Sequence, residues 1–170
     1  LNHPGNRLFF PFEDRLNLNQ ESACERFRAF FEQKRLNNVM NGVVRTEALR
    51  KTPLMADYRA SDTVLMGELA LSGKFIEVPE FMFFRRMDRA SAMILRDRED
   101  IIRHYDPEMK DRMLLQRWKR HRGYLSAAVR APLTIPEKVC VLRFLLRRFI
   151  EDRGYLAKDL VEQGLPPEKP

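Results

Sequence analysis

The chain has few of the side chains that most often build metal sites and covalent cross-links. It contains only two cysteines and three histidines in 170 residues. Cys24 and Cys140 stand alone, without a CxxC pair or a neighbouring Cys/His cluster, and therefore predict neither a disulfide scaffold nor a zinc site. A reducing cytosol is the expected compartment for such a chain.

Motifs of metal and phosphate binding are also absent. His3, His104 and His121 do not have the spacing of metal ligands. We expect His104 and His121 to lie on the surface, because both fall in basic stretches that are predicted to be helical. The sequence contains neither a GxGxxG or GxxxxGK phosphate loop nor an Asp-x-Asp metal motif.

No long apolar run occurs either. No segment approaches the roughly 20 apolar residues that a membrane-spanning helix needs. Residues 1–6 are polar, without the basic start and apolar core of a signal peptide. The first residue is not methionine, so we expect the sequence to be a fragment of a longer chain.

The charge balance, by contrast, is strongly basic. The formal net charge is +7 and the isoelectric point is about 9.7. A basic excess favours anionic partners, which include nucleotide phosphates, acidic lipid headgroups and nucleic acid. The charge alone does not choose among them. A length of 170 residues suits one domain.

Helical periodicity marks two segments in the first half of the chain. Residues 22–34 place Phe27, Phe30 and Phe31 at the i, i+3, i+4 spacing of one helix face. The segment also begins with the serine and glutamate of a capping box. Residues 61–72 predict a second helix, which begins at a capping side chain and ends before a glycine.

Extended structure is predicted in two places. β-branched residues predict a strand over 39–46, in which a glycine would let another backbone or a ligand approach closely. Residues 75–86 are predicted to be extended. Most of the remaining chain is predicted to be helical, over 90–104, 108–129, 136–152 and 156–163, before a disordered tail at 165–170.

Predicted helices therefore outnumber predicted strands. A sheet of two or three strands is rarely stable by itself. The sequence predicts a helix-dominated α/β fold whose sheet is completed by residues outside this sequence.

An ordered series of short motifs lies between residues 41 and 93. The series reads Asn41-Gly42-Val43-Val44-Arg45, Tyr58-Arg59-Ala60-Ser61-Asp62, Glu68-Leu69-Ala70-Leu71-Ser72-Gly73, Val78-Pro79-Glu80 and Phe83-Phe84-Arg85-Arg86-Met87-Asp88. In order and spacing it resembles the second half of an inverting nucleotide-sugar glycosyltransferase of family 2. The resemblance is clearest over residues 26–93 and looser over 108–160.

The resemblance implies a fold and a division of the chain. The fold would be the C-terminal part of a GT-A (Rossmann-like) domain, with a few strands and a helical C-terminal extension. Residues 1–95 would form the acceptor-side part of the catalytic domain, 96–164 the extension, and 165–170 the disordered tail. The nucleotide-binding half would precede this segment.

The resemblance gives Asp62 the role of catalytic base. Sugar transfer with inversion needs a carboxylate that takes a proton from the acceptor hydroxyl, while cations stabilise the departing nucleoside diphosphate. In family 2 this carboxylate opens a helix, and Asp62 stands at the start of the predicted helix 61–72. The alternative is that Asp62 only caps its helix by accepting from free backbone N–H groups.

Arg85 and Arg86 are the candidates for binding the donor diphosphate, because the family carries basic residues at this place. A planar guanidinium meets phosphate oxygens in a fork. Successive side chains of an extended segment point to opposite faces, so at most one of the two would face the site. The alternative is a solvated strand end or an ion pair with Glu80.

Three further positions carry expectations from the resemblance. Asn41 and Gly42 would lie on the strand beneath the sugar, with plain packing as the alternative. Asp88 stands where many relatives have histidine. Since a carboxylate can bind Mg²⁺ or Mn²⁺, Asp88 is a metal candidate, with a helix cap as the alternative. Arg45 and Arg59 are additional basic candidates.

The implied enzyme moves a sugar from a nucleotide-sugar donor to a hydroxyl acceptor on a glycan, a lipid-linked molecule or a protein. It would use a divalent metal, Mn²⁺ or Mg²⁺, in the full-length protein. The donor-binding half is missing from this sequence, so we expect these 170 residues alone to be inactive. The expected location is the cytoplasm, where the protein could also contact a membrane peripherally.

The basic helices support a non-enzymatic alternative. Residues 116–122 are cationic around Trp118, and residues 136–152 combine apolar and basic side chains. Such a helix can lie on an anionic membrane, contact a partner protein, or pack its apolar stripe on its own domain. Binding of nucleic acid is less expected, because no known binding module is visible.

Overall fold

The described part of the protein is built of helices. The structure is a computed structural model that describes residues 2–3, 7–8, 11–84 and 115–164, with side chains over 11–84 and 115–161. The α-helices are α1 Ala23–Gln33, α2 Thr46–Leu49, α3 Ser61–Ser72, α4 Gln116–Arg130, α5 Ile135–Glu151 and α6 Arg153–Gly164, and a 3₁₀ helix spans Asn38–Asn41. In these ranges no helix has the length and apolarity needed to cross a bilayer.

The α/β fold expected from the sequence, part of a GT-A domain, is wrong. In the described ranges, β-structure is limited to β1 Asn2–His3 and β2 Arg7–Leu8, which pair antiparallel, and to one bridge between Leu18 and Phe75. The predicted strand 39–46 forms the 3₁₀ helix and the approach to α2 instead. Val39, Met40 and Val44 pack against a buried cluster that includes α3 residues, whereas Val43 is exposed.

The helices predicted from local signals are confirmed where the structure describes them. α1 begins after Ser22, whose Oγ accepts from the Glu25 backbone N–H. α3 has the predicted bounds, but the capping side chain predicted at its start is wrong, because its N-cap is Ala60. α5 begins with a capping box formed by Thr134 and Glu137. The predicted helix 108–129 corresponds to α4 from residue 116 onward, and 156–163 corresponds to α6. Residues 90–104, residues 108–114 and the tail 165–170 lie outside the described residues.

Helix α3 lies at the centre of the packing. Ten of its twelve residues are buried. A helix that is apolar on all sides has to be surrounded, and α1, α2, α4 and the 3₁₀ helix all pack against it. Gly67 permits the close approach of α1, because a Cβ there would lie 3.3 Å from Cε2 of Phe27.

The buried polar groups of α3 are matched by arginines from neighbouring elements. Glu68 is 3% exposed, and its carboxylate accepts from Nε and Nη2 of Arg130 at 3.0 and 2.8 Å. At the other end of the helix, the buried Arg26 donates to the carbonyls of Ala70 and Leu71 at 2.9 and 3.3 Å. A cation at a helix C-terminus also complements the helix dipole.

Helix α6 is held against α4 by polar contacts. Nε1 of Trp118 donates to the carbonyl of Leu156 at 3.1 Å. Arg117 forms an ion pair with Asp159, which is 4% exposed. The packing of α6 therefore uses side chains from the cationic start of α4.

Cys24 and Cys140 form a disulfide, which corrects the expectation of two isolated thiols. Their Cα atoms lie 6.1 Å apart although 116 positions separate them in the sequence. α1 and α5 come together through edge-to-face contacts of Phe144 with Phe27 and Phe31, at centroid distances of 5.9 and 5.4 Å. Such a long-range pairing has no local sequence signal.

Replacement of Cys140 by serine tests the contribution of the disulfide. A cross-link that closes a loop of this length restricts the unfolded chain, so we expect Cys140→Ser to lower the free energy of unfolding by about 2–5 kcal/mol. Denaturant unfolding measures this difference. Reductant should lower the stability of the wild type to that of the variant and leave the variant unchanged. A wild type that is insensitive to reductant would contradict the bridge.

Candidate functional site

Asp62 lies in the first turn of α3 and is only partly buried, unlike most of that helix. Its Oδ2 accepts a hydrogen bond of 2.8 Å from Nδ2 of Asn37, the residue before the 3₁₀ helix. Within the described residues, no backbone N–H of α3 donates to this carboxylate. The side chain therefore reaches across to another element instead of capping its own helix.

The turn before α3 places Asp62. Ala60 has the left-handed conformation, with a φ of 68°, which costs a non-glycine residue about 1–3 kcal/mol. The turn is held by a hydrogen bond of 3.1 Å from the Ser61 N–H to the Tyr58 carbonyl. A second hydrogen bond joins the turn to α4: the Arg59 N–H donates to Oε1 of Gln116, the first residue of α4, at 2.8 Å.

Two titratable groups respond to the charge of Asp62. Burial lowers the pKa of Lys34, at the C-terminal end of α1, and the negative charge of Asp62 partly reverses this shift. Burial raises the pKa of the Tyr124 hydroxyl on α4, and Asp62 adds to that increase. Asp62 thus lies where the end of α1, the start of α3 and one face of α4 meet.

The strand predicted to carry Asn41 and Gly42 is not formed. Asn41 is the last residue of the 3₁₀ helix, and Gly42 follows it. Both are exposed, and Nδ2 of Asn41 donates to the carbonyl of Asn38 at 3.3 Å. The residue that bonds to Asp62 is Asn37, which precedes the 3₁₀ helix and has no distinguishing signal in the sequence.

The structure does not describe the residues proposed for donor and metal binding. Arg85, Arg86 and Asp88 lie outside the described residues. Arg45 and Arg59 are described and exposed. Over 11–84 and 115–161, no three His, Cys, Asp or Glu side chains gather in a way that could hold a metal ion. The described residues thus do not supply the Mn²⁺ or Mg²⁺ site expected from the resemblance.

The expected surface position of His121 is also wrong. Its side chain is 10% exposed, and Nε2 lies 3.0 Å from Oδ2 of Asp152. Burial lowers the pKa of His121, and Asp152 partly offsets this shift. The basic start of α4 therefore makes internal contacts, a use that the cationic sequence did not reveal.

Replacement of Gly123 tests how α4 holds the turn before Asp62. A Cβ at this position would lie 2.6 Å from the Tyr58 hydroxyl and 2.9 Å from Cγ1 of Val64. Gly123→Ala should therefore lower the free energy of unfolding by about 1–3 kcal/mol. The matched control is Gly154→Ala in α6, where a Cβ would meet nothing within 4 Å and should leave stability equal or slightly higher. Equal denaturation midpoints for the two variants would contradict the close approach.

The environment of Asp62 has to be interpreted from this chain's own residues. No protein family, curated protein or solved structure matches the chain. Its function is therefore inferred from the motif series in its sequence and from the contacts of Asp62.

Proposed function

We propose that this chain is the acceptor-side part of an inverting glycosyltransferase of family 2, with Asp62 as its base. The observation that carries the proposal is the hydrogen bond between Asn37 and Asp62. It holds a partly exposed carboxylate at the start of a buried helix without engaging the helix's own N–H groups. The family and the reaction class in this proposal come from the ordered motif series around Asp62 and its resemblance to family 2.

The contact with Asn37 leaves the carboxylate suited to proton transfer. Oδ2 is held by the amide, whereas Oδ1 has no hydrogen-bond partner among the described residues. In the proposed step, the acceptor oxygen bonds to the anomeric carbon while the bond from that carbon to the diphosphate oxygen breaks. The acceptor proton passes to Asp62, and the nucleoside diphosphate leaves from the opposite face, which inverts the configuration.

Binding of the nucleotide-sugar donor is assigned to Arg85 and Arg86 through the resemblance alone. The divalent metal, Mn²⁺ or Mg²⁺, likewise belongs to the proposal only through the resemblance. The described residues provide no set of ligands for it, so no step above depends on it. The hydroxyl acceptor could be carried by a glycan, a lipid-linked molecule or a protein.

Substitution of Asp62 in the full-length gene product that contains this chain tests the assignment. Transfer would be measured with Mn²⁺ and a panel of nucleotide sugars. We expect Asp62→Asn to reduce transfer at least about 100-fold, because it removes the base while its amide can still meet Asn37. Asp57→Asn is the matched control: it removes an exposed carboxylate five positions away and should leave transfer nearly unchanged.

The outcomes of this experiment separate the two functional classes. Near-normal transfer by a folded Asp62→Asn variant would remove Asp62 as the base. Absence of transfer by the wild type with every donor would favour the non-enzymatic alternative, a basic helical module that binds a membrane surface or a partner protein. The chain of 170 residues by itself is expected to show no turnover.

A cytoplasmic location, peripheral to a membrane, is also part of the proposal. The disulfide between Cys24 and Cys140 counts against it, because a reducing cytoplasm keeps thiols reduced, and the same two cysteines provide its test. Rapid alkylation of thiols in intact cells, before lysis, measures their oxidation state. A protein kept in a reducing cytoplasm should show both cysteines as free thiols. Recovery of the oxidised pair would instead assign the protein to an oxidising compartment.

A further inference from the structure

Helix α5 buries one face and leaves a second apolar face open to solvent. Val141 and Leu145 are buried in the core. A second set of aliphatic residues is 39–80% exposed and recurs every three or four positions, which places it on one side of the helix. This set, the α5 stripe, consists of Ile135, Val139, Leu142, Leu146 and Ile150.

Basic side chains border the α5 stripe. Arg143 and Arg147 each follow a stripe residue in the sequence and are exposed. Arg147 lies 2.9 Å from Glu151, whereas Arg143 has no hydrogen-bond or ion-pair partner in the part of the chain that the structure describes. On α5 as well, Nζ of Lys138 donates to the carbonyl of Val129 at 3.2 Å.

Arg143 and Arg147 also line an open groove between α1 and α5. The groove has a volume of about 720 Å³. Phe31 and Phe144 contribute apolar lining, and Arg148 lies over the Phe31 ring at 6.0 Å from its centroid. In total, four arginines and two glutamates face this groove, so its charge is positive.

We propose that α5 docks the protein on an anionic lipid surface. The α5 stripe enters the boundary between headgroups and acyl chains, and Arg143 and Arg147 bind lipid phosphates at the edge of the groove. Arginine suits this position because its long aliphatic stem can follow the apolar surface while the guanidinium stays at headgroup level. A basic amphipathic helix in the plane of the interface is a known mode of membrane binding.

Charge favours a lipid surface over a neutral apolar partner. The protein carries a net charge of +7, and anionic lipids attract basic residues near the surface. The stripe is continuous over four turns of a helix whose opposite side is fixed to the core by the disulfide at Cys140. This surface is separate from Asp62, so the proposal holds whether or not the protein transfers sugars.

Co-sedimentation with vesicles tests the proposal. The probes are vesicles of phosphatidylcholine alone and of phosphatidylcholine mixed with phosphatidylglycerol. We expect at least tenfold tighter binding to the anionic vesicles, and this difference should shrink as salt is raised. Failure to bind the anionic vesicles at low salt would overturn the proposal.

Paired substitutions separate the stripe from general charge. Leu142→Glu/Leu146→Glu and Arg143→Ser/Arg147→Ser should each weaken binding to anionic vesicles at least tenfold. The control Arg15→Ser/Arg50→Ser removes the same charge from exposed positions elsewhere and should have a much smaller effect. Circular dichroism checks that each variant is folded.

Two results would reject the assignment. The first is equal weakening by the Arg143/Arg147 pair and the control pair, because attraction would then depend on net charge alone. The second is concentration-dependent self-association of the wild type that Leu142→Glu/Leu146→Glu abolishes without any change in vesicle binding. That result would assign the α5 stripe to a second copy of this chain.

Discussion

Burial of α3 is the constraint on which the rest of the described structure depends. A helix whose surface is apolar on every side is stable only when other elements remove that surface from water. α1 and α4 cover it, together with the 3₁₀ helix and α2. Because Glu68 is also buried, its charge needs a partner, and the fork of Arg130 supplies one. Arg26 likewise donates hydrogen bonds to the backbone carbonyls at the C-terminal end of the helix.

The same packing produces the candidate site. Asp62 is a partly exposed residue between the buried Ser61 and Thr63 in the first turn of α3, and the neighbouring helices determine what surrounds it. Lys34, at the end of α1, lies close enough to Asp62 for the carboxylate charge to raise its pKa. The segment that follows α1 supplies the amide of Asn37, which donates a hydrogen bond to Asp62. The strained turn at Ala60 fixes the direction from which the carboxylate emerges. The position of the proposed base is thus a consequence of tertiary packing as much as of the local motif.

Helix α5 combines two roles that a single amphipathic pattern does not distinguish. Its buried side, with Val141 and Leu145, completes the core. Its other apolar side has no cover in the described ranges, and arginines border it. Sequence periodicity identified one amphipathic helix with basic residues. Only the packing against α1 and α4 shows which apolar side chains are used internally and which remain accessible.

The sequence by itself determined the features that depend on neighbours a few positions away. The bounds of α1 follow from the Ser22 cap and the periodicity of its phenylalanines, because these signals act within one or two turns. Tertiary structure alone decided the Cys24–Cys140 bridge, the contact of Asn37 with Asp62 and the burial of His121. It also turned segment 39–46 from a predicted strand into helical turns, because packing against α3 outweighed β propensity. Each of these features depends on contacts between segments that are far apart in the sequence, and no local sequence pattern predicts such contacts.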